Sequence, residues 1–195
     1  MLRQVIDNKA MLVGCILILV FAATAILSAW LSPFDPFAQN IRFRLKPPGE
    51  TYWLGTDGYG RDILSRIIWG TRISLTVGVV AVSIGASLGI LVGLVSGFFG
   101  GSIDNLLMRI VDVLLVLPTV LLALVIVAML GPGIFNLMVA VGISNAPRFA
   151  RVIRAEVLAV KKMVFVDAAS ALGASYVRLM SRHILPNTLA SILVL

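Results

Sequence analysis

Two stretches without a single charge, "MLVGCILILVFAATAILSAWL" at Met11–Leu31 and the run from Ile73 to Phe99, constrain this chain more than any other feature. A helix needs about 20 apolar residues to cross a hydrocarbon core roughly 30 Å thick. Only structures that satisfy their own backbone hydrogen bonds survive there, so apolar runs of this length predict transmembrane helices. The whole chain agrees. It is 59% hydrophobic and 13% charged, against about 45–50% and about 25% in soluble domains, and its mean hydropathy is +1.04. The first run exceeds a signal-peptide core of about 7–15 residues, so it reads as an uncleaved span, with Trp30 placed for the interfacial belt. The single Cys15 rules out an internal disulfide.

Between the two runs the chemistry changes. "SPFDPF" and "LKPPGE" are turn and extended segments, and Ser32–Arg72 mixes both signs of charge. Ile63, Leu64, Ile67 and Ile68 fall at helical spacing, predicting a short amphipathic helix over Asp62–Trp69 that leads into the second span. Within that span Gly85, Gly89, Gly93 and Gly97 recur every four residues. They place a groove on one helix face where another helix can approach closely, as static packing or as a sliding surface. "GFFGGSIDN" predicts a tight turn with Ser102 or Asp104 capping a helix that runs to about Leu130 and is kinked at Pro118. Arg109 and Asp112 are three apart and can pair on that helix. "GPG" at Gly131–Gly133 makes a hairpin, and the short run Ile134–Pro147 predicts a helix that continues past Arg148. The expected fold is therefore all-α, a polytopic transmembrane helical bundle with about four complete spans and the start of a fifth. Since a span needs roughly 20 residues and few follow Asn187, Leu195 is expected not to be the natural end.

The net charge of +7 is the balance expected of loops that favour the cytoplasmic side, so it does not call for nucleic acid. Lys and Arg are more numerous in the N-terminal tail and in Arg148–Pro186 than in Ser32–Arg72, which places the tail and the later segment in the cytoplasm and the first loop outside. The segment itself reads as two helices. Ile153, Val157, Val160, Val164 and Ala168 form one stripe; Gly173 breaks it; Ser175 caps a second helix with the stripe Tyr176, Leu179, Met180, His183 and Ile184. Pro186 then marks the junction with "TLASILVL". Such a unit is either a helix pair on the lipid surface or a docking knob for a soluble partner.

Nothing assembles a reaction centre. His183 is the only histidine, and a lone histidine on an amphipathic stripe is a packing residue before it is a ligand. No metal set, nucleophile–base pair or Gly-Lys-Ser/Thr phosphate loop is present. The chain is not expected to be an enzyme or to hold a cofactor or metal.

One pattern in the polar segment is diagnostic. Asp167-Ala168-Ala169, then Gly173, then His183, Ile184, Leu185 and Pro186 resembles the cytoplasmic loop of ABC-importer permeases. That loop reads Glu-Ala-Ala, three residues, Gly, nine residues, Ile, one residue, Leu-Pro. Spacing agrees throughout, while Asp167 replaces Glu and His183 replaces Ile. "WLGTDGYGRDILSRIIWGTRISLTVG", "GGSIDNLLMRIVDVLLVLP" and "PRFARVIRAEVL" are similar to permeases of the dipeptide, oligopeptide and nickel importers, so the resemblance covers nearly the whole chain. It implies the type I importer fold in a bacterial or archaeal inner membrane. It also implies an N-terminal helix with external loop over 1–72, and a permease domain over 73–195, incomplete here, whose coupling loop is about 151–186. Implied partners are cytoplasmic ABC ATPase subunits, a second homologous permease subunit, an external substrate-binding protein and the lipid bilayer. The cargo would be peptides or nickel, with selectivity set largely by the binding protein. The competing classes are an ion-coupled secondary carrier, which calls for ionisable groups or broken helices at mid-membrane, and a membrane anchor without a transport path.

Overall fold

The structure, a computed structural model, describes residues 9–192, with the side-chain surroundings of residues 9–188. Among the described residues all the extended regular structure is helical; one isolated bridge joins Thr56 and Asp62. The chain divides into two compact units, Met1–Val77 and Gly78–Leu195.

The first unit opens with α1 (Lys9–Ile26) and α2 (Ser28–Leu31), separated at Leu27. The apolar run expected as one span to Leu31 is thus interrupted near its end. Ala25 and Ser28 are buried, whereas Leu17, Ile18 and Leu19 are exposed, as side chains that meet lipid would be. The polar connection after α2 is folded around two short side chains. The Thr56 hydroxyl accepts from the Lys46 N–H at 2.9 Å and donates to the Phe43 carbonyl. Asp57 accepts from the backbone N–H groups of Tyr59 (2.8 Å) and Arg61 (3.0 Å), from Arg61 Nε (2.8 Å) and from the Arg66 guanidinium. Desolvation alone would raise its pKa. The two backbone donors and the Arg61 side chain outweigh that and hold the Asp57 carboxyl at about 2. Phe34, Tyr52 and Phe43 stack in series beside this network, with centroids 5.1 and 5.9 Å apart.

Asp62 starts the next helix. Its Oδ2 accepts from the Ser65 N–H (2.8 Å) and the Ser65 hydroxyl (2.6 Å), the role of a helix N-cap. From there α3 (Ile63–Phe99) runs unbroken for 37 residues. The short amphipathic helix expected over Asp62–Trp69 is therefore not a separate element. No proline or competing cap intervenes between it and the apolar run, so backbone hydrogen bonding propagates through.

In the second unit the chain turns at Gly100 and Gly101, whose φ values of 67° and 55° lie in the left-handed region, where glycine is unstrained. Neither Ser102 nor Asp104 caps α4 (Gly101–Val116); both lie within it. Pro118 does more than kink the helix. It separates α4 from α5 (Thr119–Leu130), and the two meet at 96°. The Gly131–Gly133 hairpin leads to α6 (Ile134–Val160), which continues past Arg148 as expected and carries the buried Pro147 inside it. Ser144 and Asn145 donate to the carbonyls of Ala140 (2.5 Å) and Val141 (2.8 Å), supplementing the backbone ladder just before the proline.

Helices α3 and α6 meet along small residues. A Cβ on Gly85 would lie 2.8 Å from the Gly142 carbonyl oxygen. On Gly89 it would lie 2.3 Å from Phe149 Cβ and 2.8 Å from the Ala146 oxygen. On Gly93 it would lie 2.6 Å from the Ala150 oxygen, and on Gly97 2.8 Å from Val157. Both series rise together, so the two helices run parallel here. Parallel neighbours require a return path, and α4 with α5 supplies it as one bent traverse. Among the described residues, two helices, α1 and α3, are long and apolar enough to cross a membrane, and the bent pair raises this to three. The all-α transmembrane bundle expected from the sequence holds, and two or three of its about four expected spans meet these two criteria. With Asn136, Asn145, Arg148 and Arg151 in its sequence, α6 is less apolar than those two.

Candidate coupling site

Beyond α6 the chain turns at Lys161–Met163 and forms α7 (Val164–Ala171), then Gly173, then α8 (Tyr176–Arg178). A π-helical stretch (Leu179–Ile184) follows, and then α9 (Leu185–Ile192). Gly173 has φ 82° and open space where a Cβ would sit. Ser175 accepts from the Arg178 N–H at 3.4 Å, the expected cap. The expected first stripe does not run through. Ile153, Val157 and Val160 are buried, but Val164 is 83% exposed and Ala168 is exposed too. The turn at Lys161–Met163 resets the helix register, so α7 packs through Val166 and Ala169 instead.

The pair α7–α8 has two faces. Inward, Val166, Leu179 and Ile184 join Leu94 and Phe98 of α3 and Ile153, Val157 and Val160 of α6 in one buried cluster, with Ala169, Ala174 and Met180 against it. Tyr176 stands edge-on to both Phe98 and Phe99, centroids 5.6 and 6.2 Å away. Lys161 donates to the Phe98 carbonyl and lies over its ring, a cation placed at the end of α3 where the helix dipole favours it. Outward, Val164, Leu172, Tyr176 and Val177 are 83%, 89%, 65% and 70% exposed. A pocket of about 300 Å³ opens between the faces, lined by Phe98, Phe99, Lys161, Val166, Asp167, Ser170, Tyr176 and Leu179.

The residues singled out in the sequence sit as follows. Asp167 and Ala168 are exposed on α7, Ala169 is half-buried against the cluster, and Gly173 is exposed at the reversal. His183 is half-buried, and its carbonyl accepts from Asn187 Nδ2 at 2.6 Å. Leu185 is half-buried, and its N–H reaches back five residues to the Met180 carbonyl. Pro186 does not end the helix. The widened π turn ahead of it accommodates the ring and the missing N–H that would break an ordinary α-helix, and α9 continues through it. Gly85, Gly89, Gly93 and Gly97 lie against α6, away from this turn.

Three arginines of α6, spaced three apart, tie this end of the unit to the bent helix pair. Arg148 donates to the Thr119 hydroxyl at 3.1 Å, Arg151 pairs with Asp112, and Arg154 grips Asp104 through Nε and Nη2, both at 2.5 Å. Ser96 of α3 also donates to Asp104, which therefore joins three helices. Arg109, expected to pair with Asp112, does not; Arg151 takes that carboxylate from the neighbouring helix.

The family model described as "Binding-protein-dependent transport system inner membrane component" matches residues 89–195. This chain belongs to that family of inner membrane transport components. A second model, the N-terminal transmembrane domain of oligopeptide transport permease C, matches residues 1–48. A dipeptide transport system permease protein of Alkalihalophilus pseudofirmus is 41% identical over 192 residues, covering 98% of this chain and 63% of that protein. The corresponding figures are 40%, 96% and 66% for a dipeptide permease of Haemophilus influenzae, and 38%, 98% and 64% for a glutathione transport system permease of Pectobacterium atrosepticum. The chain thus spans a little under two thirds of the length of these relatives. All three come from bacteria and give no support to an archaeal source, and their names describe peptide cargoes rather than nickel.

For this inner membrane component, sequence reasoning missed Ser96, Arg154 and Val166 as partners. Asp104 and Arg154 lie 50 positions apart, so no local spacing flags them. Gly142, Ala146 and Ala150, however, repeat every four residues and could have been read as the counterpart of the glycine row.

Proposed function

We propose that this chain acts as a permease subunit of an ATP-driven peptide importer, and that Val164–Ile184 is where a cytoplasmic ATPase engages it. One observation carries this reading. The segment is fastened inward to the ends of α3 and α6 by a buried apolar cluster, yet it holds large apolar side chains outward. A helix pair lying on lipid has no need of a rigid attachment to two long helices, whereas a handle that transmits force does. Gly173 makes the reversal, Asp167 and Ala168 form the α7 surface beside it, and Ala169 seats α7 on the cluster. His183, Leu185 and Pro186 set the junction with α9. The row Gly85–Gly97 lets α3 and α6 move as one body. An external binding protein would deliver cargo, and a second permease subunit would complete the path. Hydrolysis belongs to the ATPase subunits, and the lipid-facing spans anchor the assembly. Arg148–Pro186 lies in the cytoplasm and Ser32–Arg72 outside. The peptide names of the relatives support the cargo class for the whole protein.

The test replaces Leu172 by Asp in the assembled transporter. The variant is expected to insert normally, lose capture of the ATPase subunit and lose uptake. Full uptake and capture at equal membrane levels would remove the assignment.

A further inference from the structure

The bent pair carries a face that the coupling role does not use. Asn105, Arg109 and Val113 recur every four residues on α4, as do Met108, Asp112 and Val116, and the two rows are neighbours on one side of the helix. Together they form one open face of α4. The other side of α4 is engaged, with Val111 buried and Asp104 gripped by Arg154 and Ser96. Among the described residues, the Arg109 guanidinium makes no hydrogen bond and no ion pair. Its natural partner three residues on, Asp112, is held by Arg151.

Arg109 stands about 12 Å along α4 from Gly101 at 1.5 Å per residue, on a helix whose other exposed residues include Ile103, Leu106 and Ile110. A free cation, an amide and a carboxylate on one face of such a helix are costly against lipid. Faces of that kind turn to a water-filled cavity or to protein, and mark a substrate path. The planar fork of arginine matches a carboxylate with two parallel hydrogen bonds. Dipeptides and glutathione, the cargoes named for the relatives, all carry free carboxylates.

Resting on the peptide-importer reading, we propose that Arg109 receives the carboxylate of the peptide cargo as it passes the bent helix pair. Asn105 supplies a further donor, and Met108, Val113 and Val116 form the apolar wall for side chains.

The experiment uses the complete transporter in vesicles, with a peptide pair of one sequence that the external binding protein holds both as free acid and as C-terminal amide. Uptake is measured per inserted permease with the binding protein saturated. Arg109→Gln is expected to lower acid uptake about tenfold, the loss of a charged hydrogen-bonded contact, and to leave amide uptake within about twofold. Arg109→Lys should retain most of the preference for the acid. Equal losses for both peptides, at normal insertion and ATPase capture, would mean that the face packs against a second permease subunit. No loss for either would mean that Arg109 meets lipid headgroups. Either result overturns the proposal, as would loss of acid preference in a normally inserted Arg109→Lys. Failure of the coupling reading looks different: a Leu172→Asp permease that still transports would leave the acid-to-amide ratio intact.

Discussion

The chain uses glycine for two unrelated purposes, and the row Gly85–Gly97 and the turn at Gly173 show the difference. Along the row the backbone is ordinary helix, and what matters is the absent side chain, because a Cβ at Gly89 or Gly93 would fall inside van der Waals contact with backbone atoms of α6. At Gly173 space is open and what matters is the backbone, with φ at 82°. One region needs glycine as a small volume and the other as a conformation. In lipid the hydrophobic effect does not hold helices together, so close approach of backbones has to. At the reversal there is no packing to lose, only strain to gain.

The sharpest way to break this comparison is Gly89→Leu. Its Cβ alone would sit 2.3 Å from Phe149 Cβ, 2.8 Å from the Ala146 oxygen and 2.9 Å from the Ala150 nitrogen. Overpacking of a core costs about 1–3 kcal/mol and more when backbone must yield, so the expected outcome is loss of folded, inserted protein, read as membrane level and thermal stability in detergent. An unaltered melting temperature would show that the seam between α3 and α6 opens easily. Next in size is Asp104→Asn. It leaves Arg154, 33% exposed, facing a neutral amide. The expected cost is about 1–3 kcal/mol. The cycle with Arg154→Gln should show strong coupling between the two positions. Additive effects would mean that Ser96 and solvent, not the ion pair, hold α4 in place.

Gly173→Val probes the other kind of glycine. Residues forced into unfavourable backbone regions cost about 1–3 kcal/mol, here confined to an exposed turn. Insertion and overall stability are expected to stay near wild type while ATPase capture and uptake fall. If Gly173→Val behaved like Gly89→Leu, with protein lost from the membrane, the distinction between volume and conformation would collapse.

What the sequence disclosed follows the range of each interaction. The helical class came from charge-free runs, and the Gly131–Gly133 hairpin, the reversal at Gly173 and the Ser175 cap came from local chemistry. The glycine row was visible because its period is local, although its counterpart across the seam on α6 was not paired with it. Contacts between distant segments stayed hidden. Asp104 looked like a cap because it follows a turn, but glycines made the turn and Arg154 took the carboxylate. Arg109 and Asp112 looked like a pair at helical spacing until Arg151 competed from another helix. Pro186 was legible as a junction, but not that the helix runs through it, because the π turn that absorbs it has no sequence signature. The outward face of α7 was misassigned at Val164 and Ala168 because a three-residue turn shifts the register without changing the apolar pattern.

The smallest effect is expected where neither glycine volume nor glycine backbone dominates, in the charged turn at Asp57 of the first unit. Four donors converge on that carboxylate, and those of Tyr59 and Arg61 hold it at about 2, below the ordinary 3.8. A carboxyl whose pKa is depressed in the folded state contributes stability that is complete above its unfolded pKa and is lost as pH falls through the folded one. The turn should therefore be unchanged from neutral pH down to about 4 and loosen between about 4 and about 2. Trp53 lies close by in sequence and is 70% exposed. Its emission can be followed in a variant with Trp30 and Trp69 replaced by Phe, titrated from pH 6 to 2. Asp57→Asn should flatten the transition in that window and show the loosened signal already at neutral pH. A transition that persists in Asp57→Asn would show that this carboxylate is not its source. The Asp57 network would then be a consequence of the fold around Thr56 rather than a cause of it.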